Sequence, residues 1–329
     1  MLFAAFNQDC SSFAIGSENG FAVWNTDPIT LKFKRSYEGE GIGIIEMFYN
    51  SNLMAVVGGG SKPRYPPNKV VIFDDYSSKI IGDLEYSGPI RGVKLRNDSI
   101  TIILDTRSFV HNFSDLKLID KIDTFYNPAG ICAVCTSPTN NTMAFIGNTA
   151  GSILIKHYSK KAYSHIIFAH DNPISQMCLT RDGLRLATTS SRGTLVRVFD
   201  TFTGERLMEF RRGTVPAAIE CLSFNDSGSC LGVSSDKGTL HIFSCDVNSK
   251  ETNRVSSFSW MSGVVPIFGS SWSCKSFTVS EARCIFAFSP ENDPDLKKYV
   301  YVLGSSGTYY KYSLDQEECQ LVKSGFFLK

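Results

Sequence analysis

The 329-residue sequence predicts an all-β chain, a seven-bladed β-propeller occupying residues 1–329 as a single closed domain. Three observations lead there. Short runs rich in Val, Ile, Phe, Tyr and Thr, punctuated by Gly, Asn, Asp and Ser, prevail over long helical periodicity. One phrase recurs: a small or apolar strand, a Gly/Ser/Asp turn, then a strand ending in an aromatic residue. The recurrences are spaced close to the roughly 40–45 residues of a four-stranded propeller blade.

Taken in order, the first copy runs from Cys10 to Trp24 and turns at Gly16 to Gly20. Weaker copies end at Phe73, Phe113 and Tyr158. Two strong ones follow, Gly183 to Phe199 and Gly228 to Phe243, and a last weaker one ends at Tyr312. The gaps between anchors are 49, 40, 45, 41, 44 and 69 residues, so seven copies fill the chain. One blade does not bury both of its faces alone; closing seven into a ring buries them and leaves only short strand edges. A Trp-Asp dipeptide is absent at every anchor, which read Trp24-Asn25, Phe73-Asp74 and Phe199-Asp200 in the clearest cases.

The excess in the last gap falls after Phe243, in a loop within blade six at about residues 246–274. It begins polar, Asn248 to Arg254, and then turns apolar and aromatic: Trp260, Met261, Val264, Val265, Ile267, Phe268 and Trp272. Two of the chain's three Trp lie there, a composition that suits a bilayer interface, so the loop is expected to contact a membrane.

Composition narrows the function. Lys and Arg number 33 and Asp and Glu 32, a net charge of +1, which argues against nucleic-acid binding by bulk charge. No run of about 18 apolar residues is present to span a membrane. The N-terminal stretch lacks a basic region and meets Asn7 early, unlike a signal peptide. Ten Cys, mostly inside apolar alternating runs, read as small buried hydrophobes of a reduced, cytoplasmic chain. Cys132 and Cys135 have the CxxC spacing, but no second pair follows, and a strand would point their sulfurs to opposite faces. Gly58 to Lys62 lacks P-loop spacing, and the five His show no ligand spacing. No metal site, cofactor, catalytic residue or enzymatic activity is expected.

Between the copies ending at Phe199 and Phe243 lies Phe210-Arg211-Arg212-Gly213. Adjacent residues of an extended segment point to opposite sides, so at a junction between blades each arginine serves a different cleft. Each guanidinium is a planar fork of donors suited to phosphate oxygens. Around Arg211 the expected partners are His170, Ser190, Thr194 and Arg197; around Arg212 they are Ser234, Ser235, Thr239 and His241, with Arg254 from the loop. Hydroxyls, His and two Arg describe an anion site and not a catalytic one.

Phe210 to Gly213 resembles the L/F-R-R-G motif of the PROPPIN/WIPI family, the phosphoinositide-binding WD-repeat propellers of autophagy. Val57 to Asp75 resembles the family's second-blade signature of its short-chain branch. Phe125 to Pro128, Ala187 to Phe199, Val233 to Phe243 and Gly307 to Lys311 are similar to family strings as well. The resemblance spans all seven repeats. It implies binding of phosphatidylinositol 3-phosphate and phosphatidylinositol 3,5-bisphosphate at two shallow rim sites, one per arginine. His170, Thr194 and Arg197 fall at first-site positions, and Ser235, Thr239 and His241 at second-site positions. It also implies insertion of the blade-six loop and peripheral association with autophagic, endosomal or vacuolar/lysosomal membranes. In the short-chain branch the segment matching Phe6 to Asp9 helps to bind the large lipid-transfer protein of autophagy, which makes Asn7 and Asp9 partner-binding candidates. Here the motif is followed by Thr214 to Ile219, without the acidic-basic pair of some branches. The competing function is a generic protein-interaction propeller whose two arginines dock acidic or phosphorylated peptides.

Overall fold

The computed structural model describes residues 1–159, 162–246, 271–291, 298–316 and 318–328. Among them are 29 β-strands and no helix. The strands form seven consecutive antiparallel sheets over residues 3–36, 42–85, 92–123, 132–168, 174–211, 219–278 and 284–326. Each sheet has its first four strands in chain order, the pattern of a propeller blade. The fold is a seven-bladed β-propeller. Two compact units divide the chain, Met1–Cys132 and Ala133–Lys329.

Burial explains the recurring phrase. The second strand of each sheet is buried except at most for one end residue, and Ser99–Ile103 and Thr142–Ile146 are buried along their whole length. Such strands therefore read as unbroken small or apolar runs. Third strands such as Leu195–Asp200 mix buried and half-buried positions, and fourth strands such as Thr30–Ser36 are largely exposed. The aromatic anchors mark the ends of the third strands. Trp24, Phe73, Phe199, Phe243 and Tyr312 lie within them, and Phe113 and Tyr158 directly follow Arg107–Asn112 and Ser152–His157. At Trp24, Phe73, Phe199 and Tyr312 the register to the fourth strand shifts by one residue. A bulge there adds local twist, which fans neighbouring sheets apart.

Between sheets, side chains interlock. In the first unit Phe21 and Val23 pack on Ile45, Met54, Val56 and Phe73, with the Phe21 and Phe73 rings edge to face at 6.3 Å. In the second, Ala187, Val196, Val198 and Phe210 of the fifth sheet pack on Leu222, Val233 and Phe243 of the sixth. The other face of the sixth sheet, with Leu240 and Ile242, packs on Phe286, Val300 and Val302 of the seventh. These two faces of the sixth sheet sort the polar residues described next.

The fifth sheet has an extra strand. Ser271–Trp272 pairs in parallel with Phe210 and Arg211 at its outer edge. The chain then rejoins the sixth sheet as Lys275–Thr278, antiparallel to Thr239–Ser244. From sequence this stretch belongs to the loop of residues 246–274, because two residues give no period. Its pairing rests on an edge supplied by residues 61 positions earlier.

Candidate functional site: two clefts beside an arginine pair

Alternation along Arg206–Arg211 divides the motif. Phe210 opposes Val196 across the strand pair and is buried between sheets five and six, its ring stacked 4.8 Å from that of Phe243. Burying such a ring contributes about 1.5–3 kcal/mol, so the side chain before the arginines anchors them. Arg211, one residue on, points to the other face, with Arg197 and Glu209, toward the end of sheet four. Arg212 lies just past the strand. Its N–H donates to the Thr194 carbonyl at 3.0 Å, and its Nε donates to the Gly193 carbonyl at 2.7 Å. A second guanidinium nitrogen donates to the Val215 carbonyl. Gly193 adopts φ +63°, and a Cβ there would sit 1.9 Å from the Ala217 oxygen, so only glycine makes this turn. At Gly213 a Cβ would meet nothing within 4 Å; the structure supplies no steric reason for glycine in the motif.

The first cleft, about 330 Å³, is lined by His170, Ser190, Thr194, Arg197 and Arg211 together. The sequence reading missed Asp171, Asn172, Arg192, Leu195 and Thr214, which also line it. Arg192 belongs to the same turn as Gly193, and its basic character inside the string from Ala187 to Phe199 was the available signal. Arg197 Nε pairs with Glu209 at 2.8 Å, and its guanidinium donates to the Ala169 carbonyl at 2.6 Å. Glu209 also pairs with Arg206 at 2.8 Å. His170 Nε2 lies 3.0 Å from the Thr188 hydroxyl. Burial, and then the charge of Arg197, push the His170 ring down to about 4, so it is neutral at pH 7. Burial also pulls Arg211 below its ordinary value; guanidinium groups stay cationic regardless.

The second group centres on Arg212. His241 opposes Val233, which packs toward sheet five, so His241, Thr239 and Ser235 share the face turned to sheet five, and Arg212 acts on His241 from there. Ser235 Oγ is buried with no hydrogen-bond partner among the described residues. Burial, and then Arg212, push His241 down to about 4. Its Nδ1 lies 3.2 Å from the Ser273 hydroxyl, a contact the sequence reading missed because Ser273 is 32 residues away. Ser234 is corrected. It opposes Leu240, whose face packs on sheet seven, and it is fully buried with its hydroxyl donated to the Cys284 carbonyl at 3.0 Å. It braces the sheet from behind and does not face Arg212. Arg254 lies outside the described residues.

Of the apolar loop residues, Trp260, Met261, Val264, Val265, Ile267 and Phe268 also lie outside them. Trp272 is half-buried, in register with Arg211 at the sheet edge.

Asn7 and Asp9 hold the first turn of the first unit. Asn7 is buried; its amide donates to the Tyr49 carbonyl at 3.2 Å and its oxygen accepts from the Ser12 N–H at 3.0 Å. Gln8 donates to the Met47 carbonyl at 2.7 Å and accepts from the Tyr49 N–H at 2.8 Å. Asp9 accepts from the Ser11 hydroxyl at 2.6 Å and the Asn50 amide at 2.8 Å. The segment thus pins sheet one to sheet two. Cys132 and Cys135 are both buried, and neither is in a disulfide. Among the described residues no cluster of three His, Cys, Asp or Glu is placed to hold a metal.

The PROPPIN family model matches residues 2–328. The chain belongs to the PROPPIN family. It is 32% identical over 323 residues to autophagy-related protein 18e of Arabidopsis thaliana, covering 97% of this chain and 84% of that one. It is 32% identical over 340 residues to SVP1-like protein 2 of Pichia angusta, covering 99% and 94%. The crystal structure of Kluyveromyces marxianus Hsv2 superposes with a TM-score of 0.80 at 23% identity, covering 100% of this chain and 99% of that one, which bears on fold alone. PROPPINs are non-enzymatic phosphoinositide-binding scaffolds. This PROPPIN is a phosphoinositide-binding, autophagy-related propeller without enzymatic activity.

Proposed function

We propose that this PROPPIN reads phosphatidylinositol 3-phosphate and phosphatidylinositol 3,5-bisphosphate through two rim sites and scaffolds autophagic machinery on the membrane. Arg211 with His170, Ser190, Thr194 and Arg197 forms one site. Arg212 with Ser235, Thr239 and His241, joined by Arg254, forms the other. The carrying observation is that two consecutive buried arginines diverge at the end of one strand, Arg211 lining the cleft with the neutral His170 and its hydroxyls, and Arg212 acting on the neutral His241. Two modest headgroup contacts plus apolar contact by the loop of residues 246–274 act multivalently, so the membrane is held although each contact is weak. Net charge near zero suits headgroup selectivity over general attraction to anionic lipid. The setting is the cytoplasmic face of autophagic, endosomal or vacuolar/lysosomal membranes. The autophagy lipid-transfer protein is the proposed partner at the turn of Asn7 and Asp9; buried Asn7 would act there by holding the turn's shape and Asp9 by contact.

The test is flotation with liposomes carrying either phosphoinositide or neither, using wild type and Arg211→Thr/Arg212→Thr. Flotation that requires both the phosphoinositide and the arginines is expected. Wild-type protein that ignores phosphoinositide would overturn the proposal and direct the search to phosphorylated peptides.

A further inference from the structure

The chain between residues 271 and 275 crosses from the edge of sheet five to the edge of sheet six, beside the arginine pair. It is held at both ends. Ser271 and Trp272 pair with Phe210 and Arg211. The Cys274 N–H donates to the Ile242 carbonyl at 2.9 Å, and Lys275 is in register with Ile242. Between these fixed points stands Ser273, its hydroxyl 3.2 Å from His241 Nδ1. His241 Nε2 has no hydrogen-bond partner among the described residues, while the Arg212 guanidinium is near enough to act on the ring electrostatically.

We infer that Ser273 is a positioning residue of the Arg212 site: when a phosphate binds, its hydroxyl donates to His241 Nδ1, so that Nε2 carries the proton the phosphate accepts. The chemistry of the three groups requires such a device. A neutral imidazole carries one proton on one of two nitrogens. Beside a bare guanidinium the Nε2 lone pair is electrostatically favoured; opposite a phosphate oxygen only Nε2–H binds. A hydroxyl both donates and accepts, so Ser273 satisfies Nδ1 in either tautomer. The ring can then answer an arriving anion without stranding a buried polar atom, which would cost about 1–3 kcal/mol. Because the chain on both sides of Ser273 is tied to sheet edges, the hydroxyl stays at the ring at little entropic cost. This inference rests on the Arg212 site binding phosphate, and its test separates the two.

The measurement is made in an Arg211→Thr background, so that one site reports. Short-chain, water-soluble phosphatidylinositol 3-phosphate is titrated and followed by calorimetry and by the ¹⁵N shifts of His241; inorganic phosphate is titrated in parallel. Expected are movement of the proton to Nε2 on saturation, about five-fold weaker binding with Ser273→Ala, corresponding to one hydrogen bond, and recovery with Ser273→Thr. A response to inorganic phosphate as well would show that the ring reads phosphate alone; a response to the lipid only would show that the inositol ring is needed to seat it. Ser273→Ala that binds like its parent, or that leaves the tautomer change intact, overturns the inference while the site stands. If adding Arg212→Thr changes nothing, the site reading itself falls.

Discussion

The two cleft histidines make stability a function of pH. Both rings are held near 4 in the folded chain by burial and by an adjacent arginine, against about 6.5 for an unfolded histidine. Between those values the unfolded chain binds protons that the folded chain refuses. The stabilisation is therefore complete above about pH 6.5 and is lost as pH falls toward 4. At pH 5 the linkage relation gives a loss of about 2 kcal/mol per ring relative to pH 7.5, and about 4 kcal/mol for both. The figure is insensitive to the folded value, since a ring held near 5 still loses about 1.6 kcal/mol. Urea unfolding at pH 7.5 and 5.0 of wild type, His170→Gln, His241→Gln and the double variant measures it. Each variant is compared with itself at two pH values, so the fixed cost of the substitution drops out. The double variant should lose about 4 kcal/mol less than wild type on acidification. His165, also held below its ordinary value by burial, leaves a residual dependence common to all four proteins. A double variant whose pH dependence matches wild type within about 0.5 kcal/mol would refute the electrostatic account of both clefts.

Two further outcomes follow from the same geometry. Asn7→Ala removes the acceptor of the Ser12 N–H in the first turn and a donor to the Tyr49 carbonyl of sheet two; urea unfolding should show a loss of about 2 kcal/mol, with a smaller loss for Asp9→Ala, whose partners are nearer the surface. Partner binding lost in Asp9→Ala with stability retained would mark a contact, whereas loss confined to Asn7→Ala would mark the shape of the turn. Glu209→Gln removes a carboxylate that acts on both Arg211 and His170; in an Arg212→Thr background, affinity for soluble headgroup should rise about three-fold by calorimetry, and an unchanged or weaker affinity would show that Glu209 matters only by holding Arg197 in place.

Much of this was legible before folding. Period-two alternation and aromatic anchors at blade-like spacing placed every third strand. The same alternation assigned Arg211 and Arg212 to different clefts, because neighbouring side chains of an extended segment take opposite faces. Residue chemistry then listed His170, Ser190, Thr194 and Arg197 as companions, and these line one cleft with Arg211. Ser234 shows where that reasoning stops. It sits beside Ser235 with the same side chain, and only the packing of sheet six between its two neighbours decides that Ser234 braces the Cys284 carbonyl while Ser235 faces sheet five. Trp272 and Ser273 show it again, since a two-residue strand has no period and owes its place to an edge formed far upstream. The order of strands and the inward or outward sense of each side chain are local properties of the chain, carried by backbone geometry and apolar burial. Which polar groups meet depends on contacts between sheets many residues apart, and the depressed histidines depend on the burial those contacts create. That part was settled by tertiary packing alone.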